Sequence, residues 1–168
     1  EIEVSYTLTK IPKKSGGFRT LSIPNEELKS IQSKIAEYIY ENYHQNMSNF
    51  AHAYMENKSI ISNAAPHLGC SVLIKLDIRN FFDSVTEKHI KNSFRLNQAN
   101  NKKKLDRFIQ LVLTENGLPQ GAPTSPVLSN LIMYKFDREV AKFCSSQQIK
   151  YTRYADDMSF SLKEDDKV

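Results

Sequence analysis

The sequence predicts an α+β fold in which helices pack on one face of an antiparallel sheet. Three observations lead there. Runs of alternating apolar and polar residues come in pairs near both ends of the chain, residues 4–10 with 18–23 and residues 149–153 with 158–162, each pair joined by a turn. Between them lie segments with apolar residues at helical spacing. Strands and helices do not alternate regularly, and there is no internal repeat or low-complexity linker. At 168 residues the chain suits one domain or two closely joined subdomains.

The first pair reads as a hairpin across the basic, glycine-containing turn Lys13-Lys14-Ser15-Gly16-Gly17. Pro24 closes it, Asn25 is the N-cap of a helix, and Leu28, Ile31, Ile35 and Ile39 follow at helical spacing toward Tyr43. Residues 44–70 carry little periodicity. The run Ser71-Val72-Leu73-Ile74-Lys75-Leu76 is a strand that ends on Asp77, and Ser84-Val85-Thr86-Glu87 is a capping box opening a helix toward Leu96. A basic, Asn-rich loop near 97–104 leads to a helix with Leu105, Phe108, Ile109 and Val112 on one face. Breakers cluster from Asn116 to Thr124. Ser125 and Pro126 suit the N-cap and first position of a long helix whose stripe is Leu128, Ile132, Phe136, Val140 and Phe143.

Composition excludes several classes. No apolar run approaches the roughly 18 residues of a membrane span, and the acidic start Glu1-Ile2-Glu3 is no signal peptide. A cytoplasmic protein without membrane partners is the expectation. Cys70 and Cys144 have no CxxC spacing and read as plain buried thiols. The net charge of +4 is gathered in two clusters, Lys10, Lys13, Lys14 and Arg19, then Lys102, Lys103, Lys104 and Arg107. Such clusters attract phosphate backbones, although most are simply solvated faces.

The chemistry is concentrated in three acids. Asp77 ends its strand, and Tyr154-Ala155-Asp156-Asp157 places two adjacent carboxylates on a hairpin turn, with Arg153 as the one nearby charge able to neutralise them. Each feature alone reads as a cap or a solvated turn. If both elements share a sheet, three anions converge at its rim and require a compensating cation, most simply a pair of Mg2+ ions. Between them lies Leu118-Pro119-Gln120-Gly121-Ala122-Pro123-Thr124-Ser125-Pro126, a stiff small-residue segment that fixes backbone close to whatever lies above the sheet.

In this order and spacing the three motifs resemble the palm of a reverse transcriptase: Asp77-Ile78-Arg79-Asn80-Phe81-Phe82-Asp83 its first motif, 118–126 its second, and Tyr154-Ala155-Asp156-Asp157 its third. The basic hairpin and the helix after it resemble the fingers of the bacterial members, and Asn63-Ala64-Ala65-Pro66-His67 resembles the NAxxH element of retron reverse transcriptases. The resemblance implies a palm-type antiparallel sheet over 71–168 and an N-terminal fingers subdomain over 1–70, with 84–114 open to assignment to the fingers. It implies that Asp77, Asp156, Asp157 and the Ile78 carbonyl hold two Mg2+ ions, with Mn2+ a possible substitute. Lys13 and Arg19 would neutralise the triphosphate of an incoming dNTP, Phe82 would act as the steric gate against a 2′-hydroxyl, Gln120 would contact the nucleotide or the minor groove, and Tyr154 would lie under the primer end.

The implied partners are an RNA template and primer, the RNA–DNA hybrid, dNTPs and a cognate structured RNA met through Asn63 and His67. The implied activity is copying part of a non-coding RNA into DNA, with a role in phage defence. An effector protein is not legible. His44, His52 and His89 lack metal-ligand spacing and read as structural or surface residues. A group II intron-type enzyme shares every catalytic residue with this reading, and a non-catalytic RNA-binding scaffold is the reading from another class. An RNA polymerase is disfavoured by Phe82. Because the chain starts without Met and stops soon after the double Asp, it reads as a fingers-palm portion lacking the thumb, weakly active or inactive alone.

Overall fold

The computed structural model describes residues 2–13, 16–94 and 102–163. Its strands are β1 (Tyr6–Pro12), β2 (Phe18–Pro24), β3 (Val72–Asp77), β4 (Lys150–Tyr154) and β5 (Asp157–Leu162). Its α-helices are α1 (Glu26–Tyr43), α2 (Ile60–Ala64), α3 (Phe81–Ser84), α4 (Glu87–Ser93), α5 (Lys102–Val112) and α6 (Thr124–Ser146). Two compact units result, each drawn from two stretches: Glu1–His44 with Asn80–Leu128, and Gln45–Arg79 with Ser129–Val168. Lys14 and Ser15 of the basic turn, and Leu96 with the loop residues 97–101, lie outside the described residues.

In the first unit β1 and β2 pair antiparallel from Tyr6↔Pro24 to Pro12↔Phe18. Asn25 caps α1 as expected, its Oδ1 accepting from Leu28 N at 2.8 Å, and Glu26 and Glu27 complement the positive end of the helix. The buried face of α1 is Leu28, Gln32 and Ile39, so Gln32 occupies a core position the apolar pattern does not announce. It belongs there because its Nε2 donates to Leu111 O at 2.8 Å, a carbonyl left open at the end of α5, and to Tyr6 Oη at 2.9 Å. Ile31 and Ile35 instead line an open apolar groove with Tyr38, Phe94 and Phe108.

The capping box falls two residues later than expected. Phe81–Ser84 forms its own helical turn, with Ser84 Oγ donating to Phe81 O at 2.7 Å, so that hydroxyl is already engaged. Thr86 caps α4 instead, its N–H donating to His89 Nδ1 at 3.0 Å, which makes His89 a capping residue.

In the second unit β3, β5 and β4 form an antiparallel sheet in the order β3-β5-β4. Residues 50–52 continue along β4, with Arg153 N donating to Phe50 O and His52 N to Arg153 O, both at 2.8 Å. One sheet face packs on α6, burying Tyr151 and Met158 with Cys144, flanked by Val140, Ala141 and Phe160. Cys144 is the buried thiol expected, whereas Cys70 is only half-buried.

Helix α6 starts at Thr124 rather than after Ser125, leaving Pro126 in the first turn, where its missing N–H costs nothing. The expected stripe also fails in its second half. Leu128 is fully buried, but Phe136 is 41% and Phe143 63% exposed. The buried positions after Leu128 are Ser129, Asn130, Leu131, Met133, Asp137 and Cys144. Asn130 and Asp137 are polar because they face a buried arginine.

Candidate active site

The double acid lies where two strands meet by the tightest possible route. Register Tyr154↔Asp157 leaves only Ala155 and Asp156 in the β4–β5 turn, and Ala155 takes the left-handed backbone, φ 57°. That conformation favours glycine and costs a β-carbon-bearing residue about 1–2 kcal/mol. Something must hold the turn.

Arg153 does. It is completely buried, with Nε and Nη2 on the Asp137 carboxylate at 2.9 and 2.7 Å, Nη1 and Nη2 on Asn130 Oδ1 at 3.3 and 3.2 Å, and Nη1 on the Ala155 carbonyl at 2.7 Å. Asp137 also accepts from Tyr151 Oη at 2.7 Å, and burial followed by the Asp137 charge pushes the Tyr151 phenol far above its ordinary range. The guanidinium is thus seated on Asp137 and grips the turn by its backbone. Sequence reasoning missed the network. The available signals were Asp137 on the inward side of an apolar helix and Arg153 two positions after Tyr151, on the same face of its strand.

Asp77 enters from the neighbouring strand. The β3–β5 register runs from Val72↔Leu162 to Asp77↔Asp157, and Ile78 N donates to Asp156 O at 3.2 Å. Residues directly opposite on adjacent strands project to the same face with Cα atoms about 5 Å apart. Asp77 and Asp157 therefore share one end and one face of the sheet, both solvent-exposed, with Asp156 in the adjoining turn.

Like charges so placed repel. Among the described residues no three His, Cys, Asp or Glu side chains are gathered into a ready-made cage for an ion. A hard divalent cation does not need one, since Mg2+ retains several waters and takes one or two carboxylates together with substrate phosphate oxygens. The oxygen-only donor set of Asp77, Asp156, Asp157 and the Ile78 carbonyl fits such an ion.

The same sheet face is braced further along by the NAxxH segment. His67 is 8% exposed, its Nδ1 2.6 Å from Ser161 Oγ and its Nε2 2.8 Å from Thr152 Oγ1. Thr152 Oγ1 donates to Asn63 O at 3.3 Å, so it accepts from Nε2–H, and Nδ1 accepts from Ser161. Burial favours the neutral ring, holding its pKa below the ordinary value. Both ring nitrogens of His67 are thus engaged inside the unit. Asn63 is half-buried, and its Oδ1 finds no partner among the described residues.

The remaining candidates belong to the first unit. Lys13 sits at the hairpin tip, its N–H donating to Gly17 O at 3.0 Å, and Arg19 pairs with Ile11 two register steps away. Phe81 is the core member of its pair at 6% exposure, and Phe82 packs edge-on against it with ring centroids 5.3 Å apart. The Phe82 carbonyl accepts from Leu118 N at 2.9 Å. Gln120 is half-buried, its carbonyl accepting from Ser22 N of β2 at 2.7 Å, so the segment 118–126 is tied to the basic hairpin.

The family model "Reverse transcriptase (RNA-dependent DNA polymerase)" matches residues 11–168. This chain belongs to the reverse transcriptase family. Similar curated proteins include the Retron Ec83 and Retron Ec86 reverse transcriptases of Escherichia coli, each 36% identical, over 96% and 97% of this chain and 54% and 50% of their own lengths. The Retron Mx162 reverse transcriptase of Myxococcus xanthus is 31% identical over 93% of this chain and 35% of its own length.

The reverse transcriptase chain therefore spans about half, or less, of these relatives. Among solved structures, apo telomerase from Candida tropicalis shares the fold with a TM-score of 0.60 at 14% identity, over 96% of this chain and 44% of that one. Among the described residues no helix is long and apolar enough to cross a membrane.

Proposed function

We propose that the chain is the catalytic portion of an RNA-directed DNA polymerase of retron type, copying part of a structured non-coding RNA into DNA. The supporting observation is Asp77 standing opposite Asp157 beside the Asp156 turn, in a chain whose curated relatives are retron reverse transcriptases. Asp77, Asp156, Asp157 and the Ile78 carbonyl would hold two divalent ions, Mg2+ by preference. When bound, such ions lower the pKa of a primer 3′-hydroxyl and stabilise the departing pyrophosphate.

The chain's own groups would do the rest. Lys13 and Arg19 would engage the dNTP triphosphate, the arginine through a bidentate fork. The Phe82 ring would exclude a 2′-hydroxyl, Gln120 would contact the nucleotide, and Tyr154 would support the primer end. Residues 1–70 would serve as fingers and 71–168 as palm, with 84–114 open to assignment to the fingers. The cognate RNA would be met through the segment of Asn63 and His67, whose intervening Ala64, Ala65 and Pro66 are exposed.

The test is primer extension by the intact protein on an RNA template with dNTPs and Mg2+, beside Asp156→Asn and Phe82→Ala. Loss of extension in the first and gain of ribonucleotide use in the second are expected. Equal activity in all three would remove the enzymatic reading.

A further inference from the structure

We infer that Arg153 is a positioning residue for the acid turn: seated on Asp137 and Asn130, it holds the Ala155 carbonyl and so sets where Asp156 and Asp157 can meet a divalent cation. Its purpose rests on the polymerase reading, and its geometry on the hydrogen bonds around Arg153.

Three observations converge. First, the grip is directional. Nε and Nη2 bind the two oxygens of Asp137 as a fork, which leaves Nη1 aimed along β4 at Ala155 O, 2.7 Å away. Second, the seat is rigid. Arg153, Asp137 and Asn130 are all fully buried, and Asn130 is itself anchored by Nδ2 donating to Ala53 O at 2.9 Å. Third, the gripped residue needs holding, because Ala155 lies at φ 57° and an ungripped turn would relax toward commoner backbone angles.

From Ala155 the constraint passes directly into Asp156, whose carbonyl also accepts from Ile78 N, tying the turn to the strand that ends on Asp77. The acid pair is therefore held from both sides by its backbone, with Asp157 exposed and Asp156 half-buried. A guanidinium is required for this. The single ammonium of a lysine can pair with Asp137 or reach Ala155 O, but it cannot present the fork and the third donor together.

The experiment compares wild type with Arg153→Lys in the intact protein, reading Mn2+ affinity by electron paramagnetic resonance in the presence of an RNA–DNA hybrid. Thermal melting and hybrid binding are measured alongside. Groups that orient metal ligands change affinity by about 10- to 100-fold when altered. Arg153→Lys is expected to melt cooperatively, bind the hybrid as wild type does, and lose Mn2+ affinity on that scale.

A folded Arg153→Lys protein that titrates Mn2+ like wild type overturns the inference, as does a wild type that binds no Mn2+. Should Arg153→Lys fail to fold, Asn130→Ala carries the test. It keeps the ion pair and removes one side of the seat, so an unchanged Mn2+ midpoint there overturns the inference and a weakened one supports it. If wild type binds Mn2+ yet extends no primer, the polymerase reading fails separately while the Mn2+ comparison still decides the role of Arg153.

Discussion

Gly117→Ala offers the sharpest test of how the first unit holds Phe82. Gly117 has φ 86°, and a Cβ there would lie 2.3 Å from Phe82 O and 2.8 Å from both the Cα and the carbonyl carbon of Asp83. All three are backbone atoms, so no rotamer change relieves the overlap and the two backbone segments must part. The left-handed backbone costs alanine about 1–2 kcal/mol, and forced overpacking adds about 1–3 kcal/mol.

Gly69→Ala isolates the steric part, because Gly69 has φ 70° but nothing within 4 Å of its would-be Cβ. The two variants share the backbone cost, and the stabilisation from a stiffer unfolded chain is common to both. Urea unfolding should therefore show Gly117→Ala less stable than Gly69→Ala by about 1–3 kcal/mol. The atom struck first is the oxygen that accepts from Leu118 N, so the Phe82 backbone must shift as well. If Phe82 gates the sugar, Gly117→Ala also discriminates less against ribonucleotides. A difference between the two variants below about 0.5 kcal/mol, the range of unremarkable substitutions, would refute the close approach.

Further outcomes follow from the second unit. His67 is held neutral with its pKa below the unfolded value, so the unfolded chain binds more protons as pH falls below about 6.5 and stability drops there, by at most about 1.4 kcal/mol per pH unit. Melting temperature against pH should lose part of its acid slope in His67→Ala, and an unchanged slope would contradict the assignment. Tyr151→Phe removes a hydrogen bond to the buried Asp137 carboxylate and should cost about 1.5–3 kcal/mol in urea unfolding; a cost near zero counts against the network. Phe143→Ser should stay within about 0.5 kcal/mol of wild type, whereas Leu128→Ala should lose about 2–5 kcal/mol. Comparable losses would mean that the register of α6 is misassigned.

What could be read from the sequence was whatever is encoded locally. The N-cap Asn25, the terminal hairpin around the double acid and the strand ending on Asp77 all carry their signal within a few residues. What could not be read depends on pairing between distant segments. Nothing in one sequence fixes the β3–β5 register, and a slip of one residue would turn Asp77 to the face opposite Asp157. The α6 stripe failed for a related reason. Apolar periodicity locates a buried face only when the partner is apolar, and here Asn130 and Asp137 face Arg153 while Phe136 and Phe143 face outward.

The acid-bearing end of the sheet departs from ordinary stability rules in three ways at once. Asp77 opposes Asp157, Ala155 holds a left-handed backbone, and an arginine is buried completely. Each is unfavourable alone: directly opposed like charges repel across strands, the alanine conformation costs about 1–2 kcal/mol, and a buried charge must be both paired and hydrogen-bonded. On the proposed reading a cation-binding function accounts for their adjacency. A divalent ion would turn the repulsion into attraction, with the strained alanine and the buried arginine fixing how the turn is presented to it. Replacing the acids alone would leave the strain and the buried ion pair without a purpose, which is why the three features are best understood as one device.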